Sequence, residues 1–257
     1  MQIEIIMSLK VVSTIFAISI IYFTIIFSSS ASLYLDSNFL FFVEAQQPFT
    51  ISDHEFHAYL EQMIGHLDAS ILNVQNNNSV LAVAHALHPI EEIVDVINSR
   101  LIQTNETLTK EFSSKLNKYV QTVRSDNLNK IVIEKRELEK LLSNALEQSI
   151  SLEKRTNRDH ILNVTADLIT IASEEYAESM SQGKIINLLE YQDGQQFFKR
   201  AINLLDKSQA YLSENDNKNY LTRIDDMKKG LDSKIDPSEI DMNVKDMLCE
   251  IKKGFYC

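Results

Sequence analysis

The chemistry of this chain starts from two histidines and a carboxylate. His85, His88 and either Glu91 or Glu92 recur at the three- and four-residue spacing that stacks side chains on one helical face. With that spacing one helix offers two ligands to a metal ion, and helical bundles complete such sites from a facing helix. Of the two acids, Glu91 is taken as the ligand. His66 lies on the preceding predicted helix, beside Asp68 and after His54 and His57, so a His/carboxylate group between the two helices is expected. Further along, Glu174-Glu175-Tyr176 faces Glu190-Tyr191-Gln192-Asp193 across a turn at Gly183, where Glu175, Glu190 and Asp193 can converge. Oxygen ligands suit hard cations and iron, and added imidazoles widen the range to copper. The expected ligand is an iron or copper ion. Set against this, acids are commonly a solvated face, with Tyr176 and Tyr191 simply packing the hairpin.

Other chemistries find no residues to carry them. No Ser or Cys stands in a nucleophile elbow, no glycine-rich loop could cradle phosphate, and no Cys-x-x-Cys-His run could attach haem. The chain reads as a non-enzyme. A net charge of −11 disfavours nucleic acid and anionic lipid and favours cationic partners. From residue 11 to 99 there is no Lys or Arg at all, so the acids there have no local cation to pair with.

The elements that must position these residues are helices. Five Gly and three Pro in 257 residues are too few for a turn-rich β fold, and 44% hydrophobic with 24% charged residues is a globular composition. The fold class is all-α, an antiparallel helical bundle. Helical periodicity and capping residues predict one helix from Asp53 to about Val74 and a second from Ser79 to about Thr104, kinked by Pro89. A third runs from about Thr107 to Arg124, and a long one, or two collinear ones, spans Asn127 to Arg158. Asp159 caps a helix ending at Gly183, and another runs from about Lys184 to Leu212. The polar run Glu214 to Asn219 is read as a break, and Asp236-Pro237 starts the last helix. Shifting Ser79–His88 by about 105 residues lays it on Lys184–Asp193, with His85 over Glu190 and His88 over Asp193, as two related helical hairpins would require. The domains expected are a leader with linker over residues 1–45, a bundle over 46–212 and a C-terminal extension over 213–257.

Val11 to Phe27 is an uncharged apolar run after Lys10 and before small residues, which fits either a signal peptide or a transmembrane anchor. The position of Lys10 orients the body outward, so the localisation expected is extracytoplasmic, membrane-anchored or secreted. Sequons at Asn77, Asn105 and Asn163 would be usable for glycosylation there. Cys249 and Cys257 could close a small loop as a disulfide in an oxidising exterior, or remain two free thiols.

Two segments resemble a known family. Ala84-His85-Ala86-Leu87-His88-Pro89-Ile90-Glu91 and the run from Glu175-Tyr176 through Gly183-Lys184 to Glu190-Tyr191-Gln192-Asp193 are similar to the extracytoplasmic helical domain of prokaryotic high-affinity iron permeases. The resemblance spans roughly Glu61 to Asp206. It implies an all-α extracytoplasmic domain that handles iron, with Glu91, Glu175 and Glu190 at matching acidic positions and a membrane permease as partner. The membrane part of such a permease is lacking here, and Arg136-Glu137-Leu138-Glu139 departs from the Arg-Glu-x-x-Glu signature, so transport by this chain alone is excluded. The function expected is extracytoplasmic metal binding accessory to uptake. The alternative is a cell-surface interaction or structural module without bound metal.

Overall fold

A computed structural model of the chain describes residues 51–252. The Val11–Phe27 run, its expected role as leader, and Cys257 lie outside the described residues. The described chain is helical but for one two-stranded hairpin, so the all-α bundle is the fold. Among the described residues no helix is long and apolar enough to cross a membrane.

Ser52 caps α1 (Asp53–Gln75): its hydroxyl accepts from the Glu55 N–H while Glu55 accepts from the Ser52 N–H, a reciprocal capping box. Asn78 rather than Ser79 caps α2 (Ser79–His88). Pro89 does not merely kink the helix that follows. Pro89–Ile93 forms a π turn, with the Val94 N–H reaching back to the Pro89 carbonyl, before α3 (Val94–Thr104) resumes. Asn105 caps α4 (Glu106–Arg124), and the next stretch resolves into α5 (Leu128–Ser149) and the short α6 (Leu152–Arg155).

The second half departs from expectation at two points. Asn157 caps α7 (Arg158–Ser179), which ends before Gly183. Met180–Ser181 (β1) then pairs antiparallel with Lys184–Ile185 (β2), and Gly183 at φ 72° occupies the turn between them. The following helix, α8 (Leu188–Lys207), therefore begins past Lys184, at the Asn187 cap, and stops before Leu212. The polar run after Leu212 is no break: Ser213 caps α9 (Glu214–Asp232), whose Tyr220, Ile224, Met227 and Leu231 form a buried stripe. Asp236 and Pro237 start α10 (Pro237–Ile251) as expected.

Two apolar cores result. One joins α1 to α5 through Phe56, Met63, Leu67, Ile97, Phe112 and Leu142. The other joins α7 to α10 through Leu168, Phe198, Leu205, Ile224 and Met247, and takes Ala58 from α1. Helix α1 packs on α2 and α5 on one side and on α7 and α8 on the other. Two glycines set its approach. A Cβ on Gly65 would meet the Phe197 ring at 2.9 Å, and one on Gly194 would meet the Ala172 carbonyl oxygen at 2.9 Å. These glycines adjoin His66 and Asp193, so small residues are what let α1 close on α8 and α8 close on α7 at this level of the bundle.

Candidate metal centre

His66 on α1, His85 and His88 on α2, and Asp193 on α8 gather with ligand atoms all within 4.8 Å of one another, and all four are buried. Among the described residues no other such group forms. Each is placed by its helix. Ser70 on α1 donates to the Ala82 carbonyl of α2 at 2.7 Å, fixing the first hairpin one turn from His66. The three-residue step on α2 points His85 and His88 the same way, their rings 6.0 Å apart.

Asp193, with no solvent exposure, is the hub. Its Oδ1 lies 2.8 Å from His66 Nδ1 and 3.0 Å from His85 Nδ1, and its Oδ2 lies 3.2 Å from His88 Nδ1. Burial alone would raise the Asp193 pKa, but the His66 charge and hydrogen bond, foremost among the neighbouring imidazoles, hold the carboxyl well below the usual range. For His88 burial opposes protonation, and the neighbouring Asp193, Glu92 and Glu190 carboxylates still raise its pKa above the ordinary imidazole value.

The contacts are close, yet several are not hydrogen bonds. His85 Nδ1, His88 Nδ1 and Asp193 Oδ2 are buried without a hydrogen-bond partner. Orphaned buried polar atoms are destabilising by about 1–3 kcal/mol each, and three of them converging on one spot is the arrangement an ion would satisfy. Three imidazoles with one carboxylate is a donor set for a divalent transition metal rather than for calcium or magnesium.

The remaining expected residues fall around this group. Glu91 is exposed and outside it. Glu92 takes the position instead, 3.9 Å from His66 Nε2 and 3.8 Å from His88 Nδ1. The π turn is the reason: it widens the helix by one residue per turn, so the acid four after His88 faces the cluster rather than the acid three after it. Glu175 on α7 and Glu190 on α8 neighbour each other beside the cluster. Burial, and then the neighbouring Glu190, Asp193 and Glu92 carboxylates, push the Glu175 pKa well above the usual carboxylate range. Asp68 points away, to Lys135 at 2.9 Å. Cys249 is disulfide-bonded, and its expected partner Cys257 lies outside the described residues.

Two residues next to the site carry no charge and so give no signal in a search for ligands. Gln192 Oε1 lies 2.8 Å from His85 Nε2, and Asn73 Nδ2 donates to the same oxygen at 2.7 Å. The other histidines of α1 form a separate group. His54 Nδ1 meets Asp167 at 2.7 Å, and His57 Nδ1 meets His160 Nε2 at 3.1 Å in a stacked, buried pair. Burial lowers the pKa of both His57 and His160 to about 4.

Residues 151–256 match the family model of the iron permease-associated 4-helix bundle domain. The matched segment takes in α7 to α10 and lies further along the chain than the Glu61–Asp206 span of the expected resemblance. It includes Glu175, Glu190 and Asp193, while His66, His85 and His88 precede it. No curated protein and no solved structure matches the chain.

Proposed function

We propose that this chain is an extracytoplasmic helical-bundle protein that binds an iron or copper ion through His66, His85, His88 and Asp193, with Glu92 at the rim, and serves metal uptake without catalysing a reaction. The observation that carries the reading is the convergence of three unpartnered buried atoms, two imidazole nitrogens and one carboxylate oxygen, on a single spot. The iron permease-associated family match over residues 151–256 supports a role tied to iron, and with it a membrane permease as the partner that receives the ion. The ion is cargo in this reading, held by borderline imidazole donors and one carboxylate. The Glu175–Glu190 pair alongside supplies further oxygens.

The test is a titration of the full chain with Fe2+ under anaerobic conditions and with Cu2+, followed by calorimetry and metal analysis after dialysis. One ion per chain is expected, lost in His85→Ala/His88→Ala. Copper outcompetes iron at most nitrogen sites whatever the cargo, so stoichiometric retention of Fe2+ when it is the only ion supplied, rather than competition between the two, is the result that supports iron. Retention of no metal by the unaltered chain refutes the reading and leaves the interaction module.

A further inference from the structure

The proposed metal centre leaves open which nitrogen of His85 is the ligand atom, and the hydrogen bonds around that ring answer it. The chain of contacts starts at a group whose polarity is fixed. The Ala69 carbonyl oxygen can only accept, and Asn73 faces it at 2.9 Å, so the Asn73 atom there is the amide nitrogen. That same nitrogen lies 2.7 Å from Gln192, so the Gln192 atom facing it must be the carbonyl oxygen. The reverse contact, Gln192 Nε2 to Asn73 Oδ1 at 3.4 Å, has the matching polarity. His85 Nε2 approaches this oxygen at 2.8 Å and can bond to it only by donating. A neutral imidazole carries one proton.

We infer that Asn73 and Gln192 are positioning residues that hold His85 in its Nε2–H tautomer, so that Nδ1 presents a lone pair to the Asp193 side of the cluster and is the metal-ligating atom. The geometry agrees at the other end. His85 Nδ1 is buried with no hydrogen-bond partner although Asp193 Oδ1 lies only 3.0 Å away. A lone pair facing a carboxylate oxygen is repulsive until a cation lies between them, so the relay prepares the site for an ion and disfavours the state without one. Asn73 is almost fully buried and anchored to its own helix, so α1 sets the orientation of a residue on α8 that in turn sets one on α2.

This inference rests on the proposed metal centre for its consequence but not for its first test. Nitrogen NMR of the full chain labelled at histidine, without metal and at a pH where His85 is neutral, reads the tautomer directly. A protonated Nε2 and a bare Nδ1 are expected, and the opposite assignment overturns the relay. Gln192→Leu removes the acceptor and is expected to return His85 to a mixture of tautomers and to weaken Cu2+ and Fe2+ binding roughly 10- to 100-fold. Gln192→Glu, whose carboxylate still accepts from His85 Nε2, is expected to keep the tautomer, a separation that loss of packing would not produce. An unchanged tautomer in Gln192→Leu refutes the relay. An Nε2–H tautomer in a chain that binds no metal refutes the proposed function and leaves the relay standing.

Discussion

Acidification is expected to weaken the fold through one buried pair, His57 and His160. Their rings stack with centroids 5.4 Å apart and share a 3.1 Å nitrogen–nitrogen hydrogen bond, which one neutral ring donates and the other accepts. Burial holds His57 at about 4 against an ordinary 6.5. At about 1.4 kcal/mol per pKa unit, that difference corresponds to roughly 3 kcal/mol. The folded pKa is depressed, so between 6.5 and about 4 the unfolded chain binds more protons than the native one. The pair's contribution is therefore complete above 6.5 and is lost as the pH falls through that window. A single ring accounts for roughly 2–3 kcal/mol between about pH 7.5 and about pH 4.5, and since a shared hydrogen bond only makes a second proton harder to add, the loss for the pair is at least that. His54 and His88, whose pKa values are raised, act in the opposite sense, their contribution being present below the unfolded value and lost as the pH rises. Urea unfolding of the full chain and of His57→Gln/His160→Gln across this range separates the effects, since glutamine keeps an amide hydrogen bond and does not titrate. The variant should lose at least about 2–3 kcal/mol less on acidification. Stability curves that run parallel for the two proteins would refute the reasoning.

Asp193→Asn keeps the shape of the hub and removes its charge. Calorimetry should find metal binding at least tenfold weaker, about 1.4 kcal/mol or more, whereas Glu91→Gln should leave it unchanged and Glu92→Gln should weaken it measurably. Gly194→Ala forces a methyl against the Ala172 carbonyl and should destabilise by about 1–3 kcal/mol in thermal or urea unfolding, with metal affinity reduced as α7 and α8 part. Arg200 forks onto Glu61 in a largely buried ion pair, with Nε at 2.7 Å. Arg200→Met alone should lower stability by about 3–5 kcal/mol by stranding Glu61, and Glu61→Leu/Arg200→Met should recover most of it in the same assay.

The helices were legible in the sequence wherever caps and periodicity agreed. Asp236-Pro237 before α10 and Asn127 before α5 are short polar side chains that satisfy the first backbone N–H groups, and the helices begin there, whereas α8 begins at its Asn187 cap and not at the expected Lys184. α9 was hidden because its first turn is entirely polar, and the apolar stripe from Tyr220 to Leu231 starts only afterwards. In the candidate site, His85, His88 and Asp193 were readable because chemistry-bearing residues repeat at helical spacing. Glu92 was not separable from Glu91, since a 3.6-residue period cannot register a π turn even where Pro89 hints at one. Asn73 and Gln192 stayed unseen because they are neutral and act only through a contact across 119 residues. The His57–His160 pairing is equally non-local, at 103 residues.

Helix α1 belongs to both apolar cores, and this makes the stretch defined by family likeness and the unit that can stand alone two different objects. A fragment cut at residue 151 would keep the four helices of the match yet strip α7 and α8 of the rod that seals their inner side, leaving Phe197 and its neighbours uncovered. It would also hold the acids without the imidazoles. Modularity read from likeness alone would thus hand an experimenter a sticky half-molecule, and the shared rod makes the whole body from residue 51 onward the smallest useful piece.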